Sequence, residues 1–378
     1  MSTFAFGTQR ISDENLLHIE ALKEAIELGV RIIDTAPYYS NGSAQRAVAK
    51  VMGLFEDDIR NTIEIVSKYS FINENSLQKD LTQTLENLQL NTIETFLIDT
   101  PESFIYEALE KKMLRDEMLD TLYEKLYGAF VLLEKEVNDG RIKGYGISSD
   151  AFSKEHSAVD FLPYEDLLTL AQKAAKEAGR EKHSFTTIEL PVNLLERDGI
   201  ICGAWAKRNG LRVLANRPLN AQKDGLLYRL AEYEEPKEYY HTLNELLEIT
   251  DNEALKALYN LIEQMDINKH KFGFIGEYDS FLVSQILPHI KKSIENIPEE
   301  LIDTLLEYID RFLRAYRDMV AYESSKMTRV ALKEYFSDCD KKMQECALKY
   351  LQEIDDIDAI IVGMRKPTYV QELVALKS

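Results

Sequence analysis

The stretch Arg31-Ile32-Ile33-Asp34-Thr35-Ala36-Pro37-Tyr38-Tyr39 sets the frame for the whole chain. It follows an amphipathic helical segment, Asn15 to Glu27, that stops at Gly29, and Ile32 and Ile33 make a short apolar strand ending on Asp34. Past Pro37 comes Tyr39. An acid at the tip of a buried strand, with a tyrosine on the loop beyond, suits a site that needs a proton donor held in place by a charge. The plainer alternative is that Asp34 caps the next helix and Tyr39 lies on the surface.

The same unit repeats. A helix from Ser43 to Gly53 leads to a strand, Thr62 to Lys68, and Leu77, Leu81, Leu85 and Leu88 recur at helical spacing. Thr95 to Asp99 is a strand closed by Pro101, and a charged helix from Ser103 to Val137 leads to the strand Ile142 to Ser148. A helix at Tyr164 to Ala178 precedes the strand Phe185 to Glu189, and a shorter one at Ile200 to Lys207 precedes Leu211 to Asn216. Ala359 to Val362 is the last strand, stopped by Gly363, and a helix from Thr368 to Leu376 follows it. With Phe4 to Gly7 as the first, eight strands alternate with helices. That alternation predicts a parallel sheet, and eight units predict a closed (β/α)8 barrel. An open doubly wound sheet fits less well, because no Gly-x-Gly-x-x-Gly follows the first strand.

Between the seventh and eighth strands lies far more chain than one crossover needs. The expected division is a barrel of residues 1–221 and 355–378, with a helical insertion subdomain at 222–354. From Pro298 to Val320 the apolar residues keep a helical rhythm, and Glu253 to Met265 and Phe281 to Glu295 repeat it, the latter interrupted by Pro288. Gly273 to Gly276 reads as a turn between helices rather than a phosphate-binding loop.

Composition narrows the class. A formal charge of −20 argues against nucleic acid or an anionic membrane as partner. Three scattered cysteines predict no disulfide framework and a reducing compartment. No run reaches the length of a membrane span, so the expectation is a soluble, cytoplasmic protein. The insert's apolar stripes could serve a homo-oligomer or a protein partner.

Barrel chemistry sits at the C-terminal ends of the strands. There the chain offers Asp34 and Tyr39, Lys68, Asp99, Ser148 and Ser149, Glu189 and Asn193, Asn216 and Arg217, then Gly363 and Arg365. A tyrosine is a poor acid at neutral pH, its reference pKa being about 10. An adjacent ammonium favours the phenolate, and an aspartate on that ammonium keeps it charged and oriented. Tyr39, Lys68 and Asp34 can thus form a proton donor for a carbonyl oxygen, with a hydride that only a cofactor can supply.

At this point the chain resembles an aldo-keto reductase. The resemblance rests on an ordered set: Phe6-Gly7-Thr8, Ala21 to Gly29, Ile33-Asp34-Thr35-Ala36-Pro37-Tyr38-Tyr39, Val66-Ser67-Lys68, Phe96 to Glu102, Gly140 to Ser148, Leu190 to Leu195, Val213 to Leu219 and Val362-Gly363-Met364-Arg365. It covers nearly everything except the insert and the stretch between strands four and five.

The resemblance implies an eight-stranded barrel, NADPH (less often NADH) and reversible reduction of a small-molecule carbonyl. It gives Tyr39 as proton donor with Asp34 and Lys68 as partners, and Asp99 as the fourth catalytic position. It also implies a cofactor set of Ser148, Ser149, Glu189, Asn216, Arg217, Pro218, Leu219, Gly363, Arg365 and Lys366. Phosphates would meet Arg217 and the turn from Gly363 to Lys366, where the free N–H groups of a helix start favour anions.

Several positions depart from the family pattern. Asp99 stands where most members have histidine, and the six histidines lie elsewhere. Ser149 replaces asparagine, Glu189 replaces glutamine, and Asn216 replaces a stacking aromatic. Ser43, Ala44 and Gln45 replace an acidic-serine-acidic signature. A branch of the family with glutamate at the Asp99 position reduces conjugated double bonds, which makes enones candidate substrates. The competing reading is a catalytically weak nucleotide-binding barrel that regulates or scaffolds through its insert.

Overall fold

In the computed structural model, residues 3–71, 76–295 and 297–376 are described. They divide into two compact units, Met1–Pro218 with Leu348–Ser378, and Leu219–Ala347.

The first unit is a closed barrel of parallel strands. Its first half runs β1 (Thr3–Gly7), α1 (Leu16–Glu27), β2 (Ile32–Asp34), α2 (Ser43–Met52), α3 (Asp57–Arg60), β3 (Glu64–Ser70), α4 (Ser76–Leu88) and β4 (Ile93–Asp99). After α5 (Glu102–Glu110) and α6 (Arg115–Asn138) come β5 (Ile142–Ser148), α7 (Leu167–Glu177), β6 (Phe185–Pro191), α8 (Gly199–Arg208) and β7 (Arg212–Asn216). Successive strands pair in order, and the last barrel strand (Ala359–Gly363) closes the ring between β7 and β1. The eight strands read from hydrophobic runs are the eight of the barrel.

Ala5, Ile32, Val66, Leu97, Leu214, Ala359 and Ile361 fill a buried cluster drawn from six strands. Side chains that alternate in and out make such a ring a packed core. Gly146 in β5 is required by close approach, since a Cβ there would lie 1.9 Å from the Thr187 carbonyl oxygen.

Several boundaries differ from the sequence reading. β3 continues two residues past Lys68, because Tyr69 and Ser70 still pair with Ile98 and Asp99. The helix expected from Ser103 to Val137 is two, α5 and α6. Lys112 between them has φ of 57°, and Met113 N donates to the Ala108 carbonyl, which closes α5.

The second unit opens with a hairpin that the helical reading of 222–354 did not contain. β8 (Asn220–Lys223) and β9 (Leu226–Arg229) pair antiparallel around Asp224 and Gly225, both left-handed at φ 51° and 76°. Asp-Gly is the favoured pair for a two-residue turn of that kind.

The helices follow: α9 (Tyr239–Thr250), α10 (Lys256–Asn268), α11 (Ile275–Phe281), α12 (Leu287–Ser293), the 33-residue α13 (Glu299–Ala331) and α14 (Met343–Gln352), which crosses the unit boundary. Gly276, expected in a turn, lies inside α11. A π turn, Leu282–Ile286, joins α11 to α12 just ahead of Pro288, which supplies no amide for a helical bond. Tyr239, Leu246, Leu258, Ile262, Phe312, Tyr316 and Met319 belong to this unit's core, where Tyr316 Oη donates to the Met265 carbonyl at 2.8 Å.

Two of the three cysteines, Cys339 and Cys346, form a disulfide that the reading of no disulfide framework did not foresee. They are only seven residues apart in sequence, and the fold turns them towards each other. No helix among the described residues is long and apolar enough to cross a membrane. The last barrel strand, β10 (Ala359–Gly363), leads into α15 (Pro367–Ala375).

Candidate active site

Register brings the polar positions together. Asp99 is paired with Ser148, and Ser148 with Glu189, across β4, β5 and β6. In a parallel sheet, residues in register point to the same side, so three strands deliver their side chains to one place. Asp34 comes from the tip of β2 and Lys68 from β3.

Lys68 is the centre of the cluster and is 2% exposed. Its ammonium lies 2.8 Å from Asp34 Oδ1 and donates to both Glu189 oxygens at 2.6 Å. Ser148 Oγ donates to Glu189 Oε1 at 3.1 Å, and Asn216 Nδ2 donates to the same oxygen at 2.9 Å. The carboxylate reserved by sequence for a cofactor contact is therefore the second counter-ion of the lysine.

Asp34 does not cap a helix. Gly42 holds the cap position of α2, and Asp34 goes to Lys68. Tyr39 opens a short 3-10 turn, Tyr39–Gly42, in which Ser40, Asn41 and Gly42 are all left-handed. Asp99 receives the Tyr38 hydroxyl and also hydrogen-bonds Ser148. Tyr38 was not singled out by sequence, because two adjacent tyrosines give no sign of which one turns to the acid.

The electrostatics follow from burial. Desolvation opposes the Lys68 charge, but Asp34 and Glu189 outweigh it and hold its pKa well above the usual lysine value. Burial pushes the Asp34 carboxyl up to about 7, against the pull of Lys68 and with Glu189 adding to the rise. Asp99 is raised by burial too, while the Lys68 charge and the Tyr38 hydrogen bond pull it down. Burial raises the Tyr39 phenol well above its ordinary value, and only Lys68 among its charged neighbours opposes this.

The remaining positions separate into two groups. Ser149 donates to Glu102 Oε2 at 2.6 Å and accepts from Ala151 N, while Asp150 N donates to Glu102 Oε1 at 2.8 Å. Glu102 is buried, with its carboxyl pushed up to about 7, and was not foreseen because a charge opening a surface helix looks ordinary. Arg217 is held by Glu196 at 2.7 Å and Asp150 at 3.6 Å. Asn193 organises this loop by accepting from Leu195 N and Glu196 N. Pro218 ends the first segment of the barrel unit and Leu219 opens the second unit.

Gly363 and Lys366 are exposed and Arg365 is half-buried. Lys366 caps α15, whose first turn carries no acid and no side-chain cap. That is a helix start able to receive an anion. Asn216 Oδ1 is buried and accepts no hydrogen bond from the chain. An unmet acceptor beside the cluster and an uncapped basic helix start fit the two ends of a dinucleotide.

A parallel barrel whose C-terminal mouth gathers an ammonium, three carboxylates and two tyrosines belongs to the class of (β/α)8 enzymes. The pattern that defines the "Aldo/keto reductase family" matches residues 2–377, and the chain belongs to that family, one of oxidoreductases.

It is 26% identical over 231 residues to the protein named methylglyoxal reductase DkgB of Escherichia coli O157:H7, covering 60% of this chain and 72% of that one. It is 25% identical over 324 residues to the NAD(P)H-dependent D-xylose reductase of Kluyveromyces lactis, covering 70% and 90%. Among solved structures it is similar to an aldo/keto reductase from Klebsiella pneumoniae in complex with NADP and acetate, at 20% identity and a TM-score of 0.40. That similarity covers 57% of this chain and spans 64% of the other.

Proposed function

We propose that the protein is an NAD(P)H-dependent reductase of small carbonyl compounds, enones included, with Tyr39 as the proton donor. The observation that carries this reading is the Lys68 ammonium, buried and ion-paired with Asp34, in the barrel mouth beside the Tyr39 loop. The relatives' names support the cofactor class and the reaction type.

In this reading the bound dinucleotide supplies a hydride to the carbonyl carbon. Gly363, Arg365 and Lys366 would hold its phosphates, with Arg217 at the neighbouring loop. Asn216 Oδ1, which has no partner in the chain, would accept a hydrogen bond from its nicotinamide end. The phenol of Tyr39 gives its proton to the carbonyl oxygen, and Lys68 stabilises the phenolate left behind. Asp34 keeps Lys68 charged and in place. Neutral Asp99 donates a hydrogen bond to the same oxygen, a role an acid can fill only if burial keeps it protonated.

The test is to give the purified full chain NADPH with a panel of aldehydes, ketones and enones, and to follow NADPH consumption. Turnover with one class supports the reading. Binding of NADPH without turnover of any would leave the scaffold role of a nucleotide-binding barrel in its place.

A further inference from the structure

Even with Asp99 neutral, two carboxylates, Asp34 and Glu189, are ion-paired with one ammonium. Asp34 lies 2.8 Å and Glu189 2.6 Å from the Lys68 ammonium. Glu189 also accepts from two neutral donors, the Ser148 hydroxyl and the Asn216 amide, which spend their hydrogen bonds on it. A lysine that needed only to be held charged already has Asp34 at 2.8 Å. The second carboxylate therefore does something more than anchor it.

Reaction geometry limits what that can be. In carbonyl reduction the hydride reaches the carbon and the proton reaches the oxygen of one C=O group. Hydride carrier and proton donor must lie within the span of that group, so a nicotinamide working with Tyr39 would have to sit close to the Lys68–Glu189 pair. The ring is neutral in the reduced cofactor and carries one positive charge in the oxidised one. In a buried, water-poor site a net negative charge acts strongly on that difference.

We infer that Glu189 makes this site bind the oxidised, cationic nicotinamide dinucleotide more tightly than the reduced, neutral one. By linkage such a preference stabilises the oxidised form on the protein, so it would favour hydride transfer out of the reduced dinucleotide, the direction of carbonyl reduction. The balanced reaction in that direction is a carbonyl, the reduced dinucleotide and one proton giving an alcohol and the oxidised dinucleotide. Asn216 Oδ1, unmet by the chain, lies on the residue that donates to Glu189 and is free to fix the ring's amide. The inference rests on the dinucleotide reading above and goes further, since it assigns the preferred redox state to one side chain.

The experiment measures dissociation constants of the full-length protein for NADP+ and for NADPH by calorimetry, at pH 8, above the value of about 7 at which Asp34 ionises. The wild type is expected to prefer NADP+ by roughly tenfold, equivalent to about 1.4 kcal/mol. Glu189→Gln should bring the two constants together or reverse their order, while Glu189→Asp, which keeps the charge, should retain the preference. Equal affinities in the wild type overturn the inference. So does an unchanged ratio in Glu189→Gln, which would leave Glu189 as an anchor for Lys68 only. If neither form binds, it is the dinucleotide reading itself that fails.

Discussion

Both carboxylate oxygens of Glu189 lie 2.6 Å from the Lys68 ammonium, and Asp34 meets the same ammonium at 2.8 Å. A lysine held twice stays charged, but part of its field is spent on the second acid rather than on Tyr39. Burial keeps the tyrosine's pKa raised despite the lysine beside it, and the charges of Asp34 and Glu189 add to the rise. It enters the reaction as a phenol able to give a proton, which is the state a reduction needs.

Tyr39→Phe should lower turnover at least about a hundredfold, the lower end of what positioned proton donors contribute. Its NADPH dissociation constant should stay within a few-fold of wild type, because the phenol acts on the substrate oxygen. Steady-state kinetics and a fluorescence titration read the two quantities. Turnover close to wild type would remove Tyr39 from the mechanism.

Lys68→Met leaves Asp34 and Glu189 buried with no cation between them. Removing one partner from a buried pair costs about 3–5 kcal/mol, and here two acids are stranded. Urea unfolding should show that loss at pH 8 and a smaller one at pH 5, where Asp34, its carboxyl held up at about 7, is protonated. A midpoint unchanged at both pH values would mean that the cluster contributes nothing to folding.

Glu102→Gln tests the neighbouring acid. The folded chain holds this carboxyl at about 7 against an ordinary 4.5, so the folded state binds the proton more readily. By linkage its contribution to stability falls as pH rises from about 4.5 to 7 and is flat above that. The variant should therefore show a shallower decline over this window. Above pH 7 its amide can accept only one of the two bonds now made by Ser149 and Asp150, a change of about 1 kcal/mol. Stability curves of equal slope would show that Glu102 titrates as an ordinary surface acid.

The barrel was legible because its signal is repeated. Strand after strand is a short apolar run ending on a polar residue, and a missed boundary such as that of β3 does not alter the count. The Asp34–Lys68 pair was legible for the same reason, since both residues stand near strand ends in a fold that gathers strand ends. Glu189 was visible as a position but not as a partner. Which acid reaches a lysine depends on register, and register is set by the pairing of β5 with β6 rather than by either strand's residues. The hairpin at Asp224-Gly225 carried a local turn signal that the surrounding helical pattern hid. The Cys339–Cys346 bond carried none, because two cysteines in a polar stretch do not say how the chain folds back.

Asp99 offers the sharpest reading of the altered site. Its carboxyl is raised above the ordinary aspartate value by burial, and the Tyr38 hydroxyl bonded to it favours the ionised form and so lowers it. As pH rises through that raised pKa, Asp99 ionises, loses the proton it could donate, and repels the charge developing on the substrate oxygen. Reduction should therefore fall on the alkaline side of the Asp99 titration. Asp99→Asn cannot ionise and should flatten that limb while keeping some activity. Tyr38→Phe removes a hydrogen bond that stabilises the carboxylate, so the Asp99 pKa rises further and the same limb should move to higher pH. The two variants thus change the profile differently, one abolishing the limb and the other displacing it. kcat/KM measured across pH 5 to 9 for the three proteins separates these outcomes. If all three profiles coincide, Asp99 is a strand-end residue bonded to a tyrosine, and the activity is governed by another group.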